Sequence, residues 1–109
     1  MSNVITTELL CLDANGDRRE VVVEIDRPYE TPERDWACPV AIRGMYDNLA
    51  DIHGEDSLQA LCLAASLVRT LLAGFVSDGG KIFFPDSDSE YELDAVFGQV
   101  GKGASNRPV

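Results

Sequence analysis

Residues 58–76, LQALCLAASLVRTLLAGFV, carry a single charge, Arg69, within a chain whose formal net charge is −10. Leu58, Leu61, Cys62, Ala65, Val68, Leu72 and Phe75 recur at i, i+3, i+4 and i+7, the helical period and not the strand period. A second row, Ala60, Leu63, Ala64, Leu67 and Leu71, keeps the same spacing on an adjoining face, and Gln59, Ser66, Thr70 and Ser77 line up as a polar strip. The stretch predicts one long helix with most of its circumference covered. Its length approaches the ~20 residues of a membrane span. Arg69 at its centre would cost roughly 2.5–3.5 kcal/mol in lipid, and Gln59, Ser66 and Thr70 lie inside it too, so a core helix is expected.

At 109 residues the chain is sized for a single domain with one hydrophobic core, read as residues 1–98, followed by a mobile tail over 99–109. A hydrophobic fraction of 45% with 26% charged residues belongs to a chain that can fold alone. The 19 Asp and Glu against 9 Lys and Arg argue against nucleic acid and against anionic membrane surfaces, since both are bound through clustered basic residues. The start, Met1-Ser2-Asn3-Val4, lacks the basic and apolar run of an export signal, which points to the cytoplasm. Cys11, Cys38 and Cys62 match no metal-binding spacing and are odd in number, so they are read as small buried hydrophobes without disulfides.

Two arms, residues 8–13 and 19–26, flank Asn15-Gly16, a strong hairpin signal because both residue types tolerate positive φ. In the second arm Val21, Val23 and Ile25 alternate with Glu20, Val22 and Glu24, so one face packs and the other is largely wet. Residues 27–35, with two prolines, read as an irregular loop, and Val40 to Arg43 as a third strand closed by Gly44. An acidic connection over 47–55 leads to Asp56, a helix N-cap with Gln59 as its capping-box partner. Gly79-Gly80 ends the helix, Lys81 to Phe84 forms a fourth strand stopped by Pro85, and Leu93 to Phe97 reads as a helical turn or docking segment. The fold class is α+β: an antiparallel sheet of about four strands, hairpin first, with one long helix on one face, in the order β-β-β-α-β.

Two segments, residues 44–68 and 78–94, hold nine of the ten net negative charges. The helix is ~30 Å long at ~1.5 Å per residue, and the fourth strand must run back along it. The expectation is that Asp51, Glu55 and Asp56 meet Asp86, Asp88 and Glu90 at one acidic pole; the alternative is separate solvated loops that maintain solubility.

Residues 86–90, DSDSE, resemble the first ligand positions of a calcium loop, but Tyr91 stands where the turn needs Gly and Phe97 where the bidentate Glu belongs. His53, the only histidine, lies among Asp51, Glu55 and Asp56; alone it is a poor transition-metal ligand set. A hydrolase built from Ser57, His53 and Asp51 lacks a GxSxG elbow, and the chain has no P-loop, GxGxxG or HExxH. No enzyme and no cofactor is therefore read. Arg69 is expected either to snorkel at the core edge or to pair with an acid from another element, and Trp36 to cover the core.

The run DWACPVAIRG at residues 35–44, followed by GEDSLQAL at 54–61 and Val68-Arg69, resembles a family of small bacterial domains of unknown function with a D-W-x-C-P strand and a D-x-L-Q-A-L helix. The resemblance spans roughly the middle forty residues and leaves the 86–92 loop and the tail outside. It implies a bacterial cytoplasmic α+β domain and carries no catalytic residues. In physical terms, Trp36 and Ile42 seat the strand on the helix, and Asp56 with Gln59 starts the helix. The leading functional reading is a non-catalytic, acidic protein-binding module, an immunity-type protein or regulatory subunit, that engages a basic partner through the pole. Alternatives are a homodimer packed through Ala60, Leu63, Ala64, Leu67 and Leu71, and a small metal- or ligand-binding protein using Asp51, His53, Asp86 and Asp88.

Overall fold

The computed structural model describes residues 4–98. Its elements are β1 (Ile5–Leu12), β2 (Arg18–Ile25), β3 (Tyr29–Glu30), β4 (Trp36–Cys38), β5 (Val40–Arg43), β6 (Ile52–Gly54), α1 (Ser57–Ser77), β7 (Lys81–Phe83) and α2 (Leu93–Phe97). The class is α+β, as the patterning predicts. The tail expected over 99–109 lies outside the described residues.

β1 and β2 form the expected hairpin, in register from Ile5 opposite Ile25 to Leu12 opposite Arg18. Its turn is set by a residue the Asn15-Gly16 signal does not include. The Asp13 carboxylate accepts from the Asn15 and Asp17 N–H groups, both at 2.9 Å, and only Gly16 takes positive φ, at +85°. An acceptor on Asp13 that holds two turn amides removes any need for Asn15 to be left-handed.

Four strands form one sheet in the order β5-β2-β1-β7, all antiparallel. Leu9, Cys11, Val21, Val23, Ile25, Val40, Ile42 and Ile82 are buried on its inner face. The outer face, with Leu10, Leu12 and Val22, lies under residues 85–88. Sequence reading misses a second, three-stranded sheet, β3-β4-β6, built partly from the expected loop over 27–35 and the expected acidic connection over 47–55. Strands of two and three residues are too short to display a period. The chain passes from this small sheet to the large one across Pro39, whose carbonyl accepts the Asp26 N–H at 3.0 Å.

α1 buries Ala60, Ala64, Val68 and Leu72, one residue per turn along a single stripe. Leu61, Ala65, Leu67, Leu71 and Phe75 are half-buried against the core. The polar strip Gln59, Ser66, Thr70 and Ser77 faces solvent as expected, but Leu58, Cys62 and Leu63 are exposed as well. Coverage is therefore narrower than the composition suggests, even though the helix reaches a mean hydropathy of 1.8, enough to span a bilayer by length and composition. The second row is divided: Ala60 and Ala64 are fully buried within the chain while Leu63 lies open, so that row is not free to form a dimer interface. Among the cysteines, Cys11 and Cys38 are buried as expected and Cys62 is not.

The cap at Asp56 is present, its carboxylate accepting the Gln59 N–H at 2.7 Å. Gln59 reaches back to the Glu55 N–H, also at 2.7 Å, one residue earlier than a capping box requires. Gly54 allows β6 to lie against the first turn, since a Cβ there would sit 2.6 Å from the Ala60 nitrogen. At the other end Gly79 takes φ +102° beside Ala14 of the hairpin turn. Arg69 pairs with Asp94 of α2 at 2.5 Å, the second of the two expected uses. One core of buried residues joins both sheets and α1, with Trp36, Ile52 and Phe75 packed around it.

Candidate functional site

The predicted acidic pole does not assemble. Asp56 caps the start of α1 and Glu55 precedes it, whereas Asp86 and Asp88 border a depression with Gly16 and Arg18 at the hairpin end of the large sheet. That end lies beside the C-terminus of α1, where Gly79 meets Ala14, and Glu90 lies beside Arg69 and Ala73 in the second half of α1, so neither group reaches Asp56 at the helix start. The 84–90 segment closes on itself instead of returning toward the helix start: Phe84 N–H donates to the Ser89 carbonyl at 3.1 Å, and Phe83 bridges Glu90.

Asp51 gathers other carboxylates. It lines an open depression of about 260 Å³ together with Glu24, Asp26 and Asp47, where the chain crosses between sheets at Pro39. Arg43 is the one basic residue in that lining, and it is already paired with Glu24 at 2.6 Å. Burial, and then the Asp51 and Asp26 charges, push the Cys38 thiol above its ordinary value.

The small sheet carries this surface onward. Tyr29, Ala37 and His53 are cross-strand partners and so share one face. Trp36, Cys38 and Ile52 alternate to the other side and pack on the core. On the outer face the Tyr29 hydroxyl donates to Asp51 Oδ2 at 2.6 Å, which raises the tyrosine pKa above its ordinary value. Beside it Thr31 donates its hydroxyl to one Asp35 oxygen, and the other lies 2.8 Å from His53 Nδ1. These two contacts, the threonine first, hold the Asp35 carboxyl below its usual value. Thr31 is buried, whereas the His53 side chain is 57% exposed.

The Nδ1 contact ties the His53 ring to Asp35 on this face. No serine takes part: the carboxylate that positions His53 is Asp35, not the Asp51 of the sequence-based triad, and Ser57 begins α1. Among the described residues no group of three or more His, Cys, Asp or Glu side chains is placed to hold a metal ion. Asp51 and His53 are likewise apart from Asp86 and Asp88, which lie in the turn after β7 beside Gly16 and Arg18. Sequence reasoning missed Thr31, Asp35 and Tyr29 because their partners are 18 to 22 residues away or sit in a proline-rich loop with no periodic signal.

The fold and this face define a small α+β domain in which two antiparallel sheets share one long helix. The chain belongs to the family described as Domain of unknown function (DUF6968), whose model matches residues 6–95. That match extends well past the middle blocks and takes in the 86–92 loop. No curated protein and no solved structure matches the chain.

Proposed function

We propose that this domain is a non-catalytic binding module of the bacterial cytoplasm, an immunity-type protein or regulatory subunit, that engages a basic protein partner. The supporting observation is the position of Asp51, which joins the Glu24, Asp26 and Asp47 depression to the Tyr29 and Asp35–His53 face. The result is one carboxylate-rich surface with the exposed Tyr29, 45% accessible, bonded to Asp51 at its edge. Tyrosine is enriched at protein interfaces, and its ring face attracts the guanidinium or ammonium of an approaching basic side chain. A surface of this sign speeds encounter with a basic partner and makes binding depend on salt.

The test is affinity capture from source-cell lysate at low and high salt, repeated with Asp26, Asp47 and Asp51 all changed to Asn. A basic protein retained by the native chain at low salt, released at high salt and missed by the triple variant supports the reading. Retention of the same partner by the variant, or insensitivity to salt, overturns it.

A further inference from the structure

The large sheet turns one face to the core and α1, and alternate residues of its strands point the other way. On that outer face Leu10 stands opposite Glu20 on one side and Phe83 on the other, Glu8 opposite Val22, and Val22 opposite Arg43; directly opposed residues share a face of the sheet. The solvent side of an antiparallel sheet is ordinarily polar. This one carries Leu10, Leu12, Val22 and Phe83, all half-buried. Residues 85–88 cross over it without filling it. Two depressions of about 250 and 500 Å³ remain, and both are lined by Leu10, Arg18 and Asp86, so they adjoin as one groove.

The walls of the groove carry its charge. Glu8, Glu20 and Asp86 line the smaller depression, and Asp88 joins Asp86 in the larger, against the single guanidinium of Arg18. Four carboxylates to one guanidinium repel an anionic occupant and attract a cationic one. The acidic surface does not stop at Val22. Its cross-strand neighbour Arg43 is paired with Glu24 at 2.6 Å, and both of these line the Asp51 depression. The groove and the Asp51 depression therefore meet along β2 and β5. Apolar surface rimmed by polar residues is the pattern of a protein-binding face.

We propose that the outer face of the large sheet is the anchoring half of the surface that meets the basic partner: Leu10, Leu12 and Val22 take up apolar side chains of a partner segment, while Glu8, Glu20, Asp86 and Asp88 hold its lysines or arginines. The inference rests on the basic-partner reading and extends it from the Asp51 depression to the hairpin end of the sheet. Carboxylates alone would select any basic chain. The apolar floor adds a requirement for apolar residues beside the basic ones, and so narrows the choice of partner.

The experiment is an amide-resolved NMR titration of the full chain at low salt with three short capped peptides: alternating lysine and leucine, alternating lysine and serine, and alternating glutamate and leucine. Saturable shifts over residues 8–12 and 16–22 are expected with the lysine–leucine peptide, at least tenfold weaker binding with lysine–serine, and none with glutamate–leucine. Leu10→Thr keeps a residue suited to a strand and should weaken the lysine–leucine peptide at least fivefold. The chain with Asp26, Asp47 and Asp51 changed to Asn should keep the shifts over 8–12 and 16–22, which separates the groove from the Asp51 depression. Shifts confined to residues around Asp47 and Asp51 overturn this inference and leave the basic-partner reading standing. Absence of saturable shifts on β1 and β2, lysine–serine binding there as tightly as lysine–leucine, or a folded Leu10→Thr chain that binds as the native chain does also overturns it.

Discussion

Asp35 owes its acidity to two neighbours supplied by different strands and loops, Thr31 and His53. A carboxyl whose pKa is lower in the folded chain stabilises the fold above its ordinary value, 3.8, and that contribution disappears as pH falls through the lowered one. Asp35→Asn should therefore melt at lower temperature than the native chain at about pH 7, with the gap narrowing as pH falls below the ordinary carboxylate value; melting curves read by circular dichroism across acid pH decide the matter, and a gap that does not change with pH would refute it. The thiols divide by burial. Cys11 is pushed up to about 11 by burial, against the pull of Arg19. The sign is opposite to that of Asp35: a raised thiol pKa stabilises below its ordinary value of 9.0, and the contribution is lost as pH rises from there toward about 11. In a thiol titration of the folded chain at about pH 8, below the ordinary thiol pKa, Cys62 should react at once, and Cys11 and Cys38 only as the chain unfolds. Three fast thiols in the folded state would contradict the burial of two.

At the scale of elements, two glycines set how closely α1 lies against its neighbours, and they differ in what would have to give. A Cβ at Gly54 meets backbone, the Ala60 nitrogen at 2.6 Å, while one at Gly80 meets the far edge of the Phe75 ring. Backbone cannot swing aside and a half-buried ring can. Gly54→Ala is expected to cost ~1–3 kcal/mol as an overpacked contact, and Gly80→Ala less. Urea unfolding of the two variants gives the comparison, and equal losses would show that α1 and β6 can separate without strain. The same contact explains why β6 exists. Residues 52–54 pair with β4 because the helix start holds them there, not because three residues have a strand preference of their own.

The whole molecule has one core that receives side chains from both sheets and from α1. Unfolding should consequently be a single transition in which the fluorescence of Trp36, which reports on the small sheet, and far-ultraviolet circular dichroism, dominated by α1, coincide in urea. A tryptophan transition at lower urea would mean that the small sheet unravels by itself. At this scale the −10 charge also acquires a geometry. It is spread over separate surfaces, with one group at the hairpin end of the large sheet and another around Asp51, and not concentrated at one pole.

Much of this protein could be read from residues close together in the chain. The helix over 57–77 followed from its apolar period, its start from Asp56 and Gln59, the hairpin from Gly16 and the alternation of Val21, Val23 and Ile25, and β5 and β7 from short apolar runs bounded by Gly and Pro. These features depend on neighbours a few positions apart, so local physics determines them. The small sheet, the exposure of Cys62, the separation of the acidic segments and the Asp35–His53 and Tyr29–Asp51 contacts were decided only by the tertiary fold. Each depends on which distant segments the packing of α1 brings together, and periodicity carries no record of that choice. An 18-residue separation between Asp35 and His53 becomes a 2.8 Å contact because β4 and β6 pair beneath it.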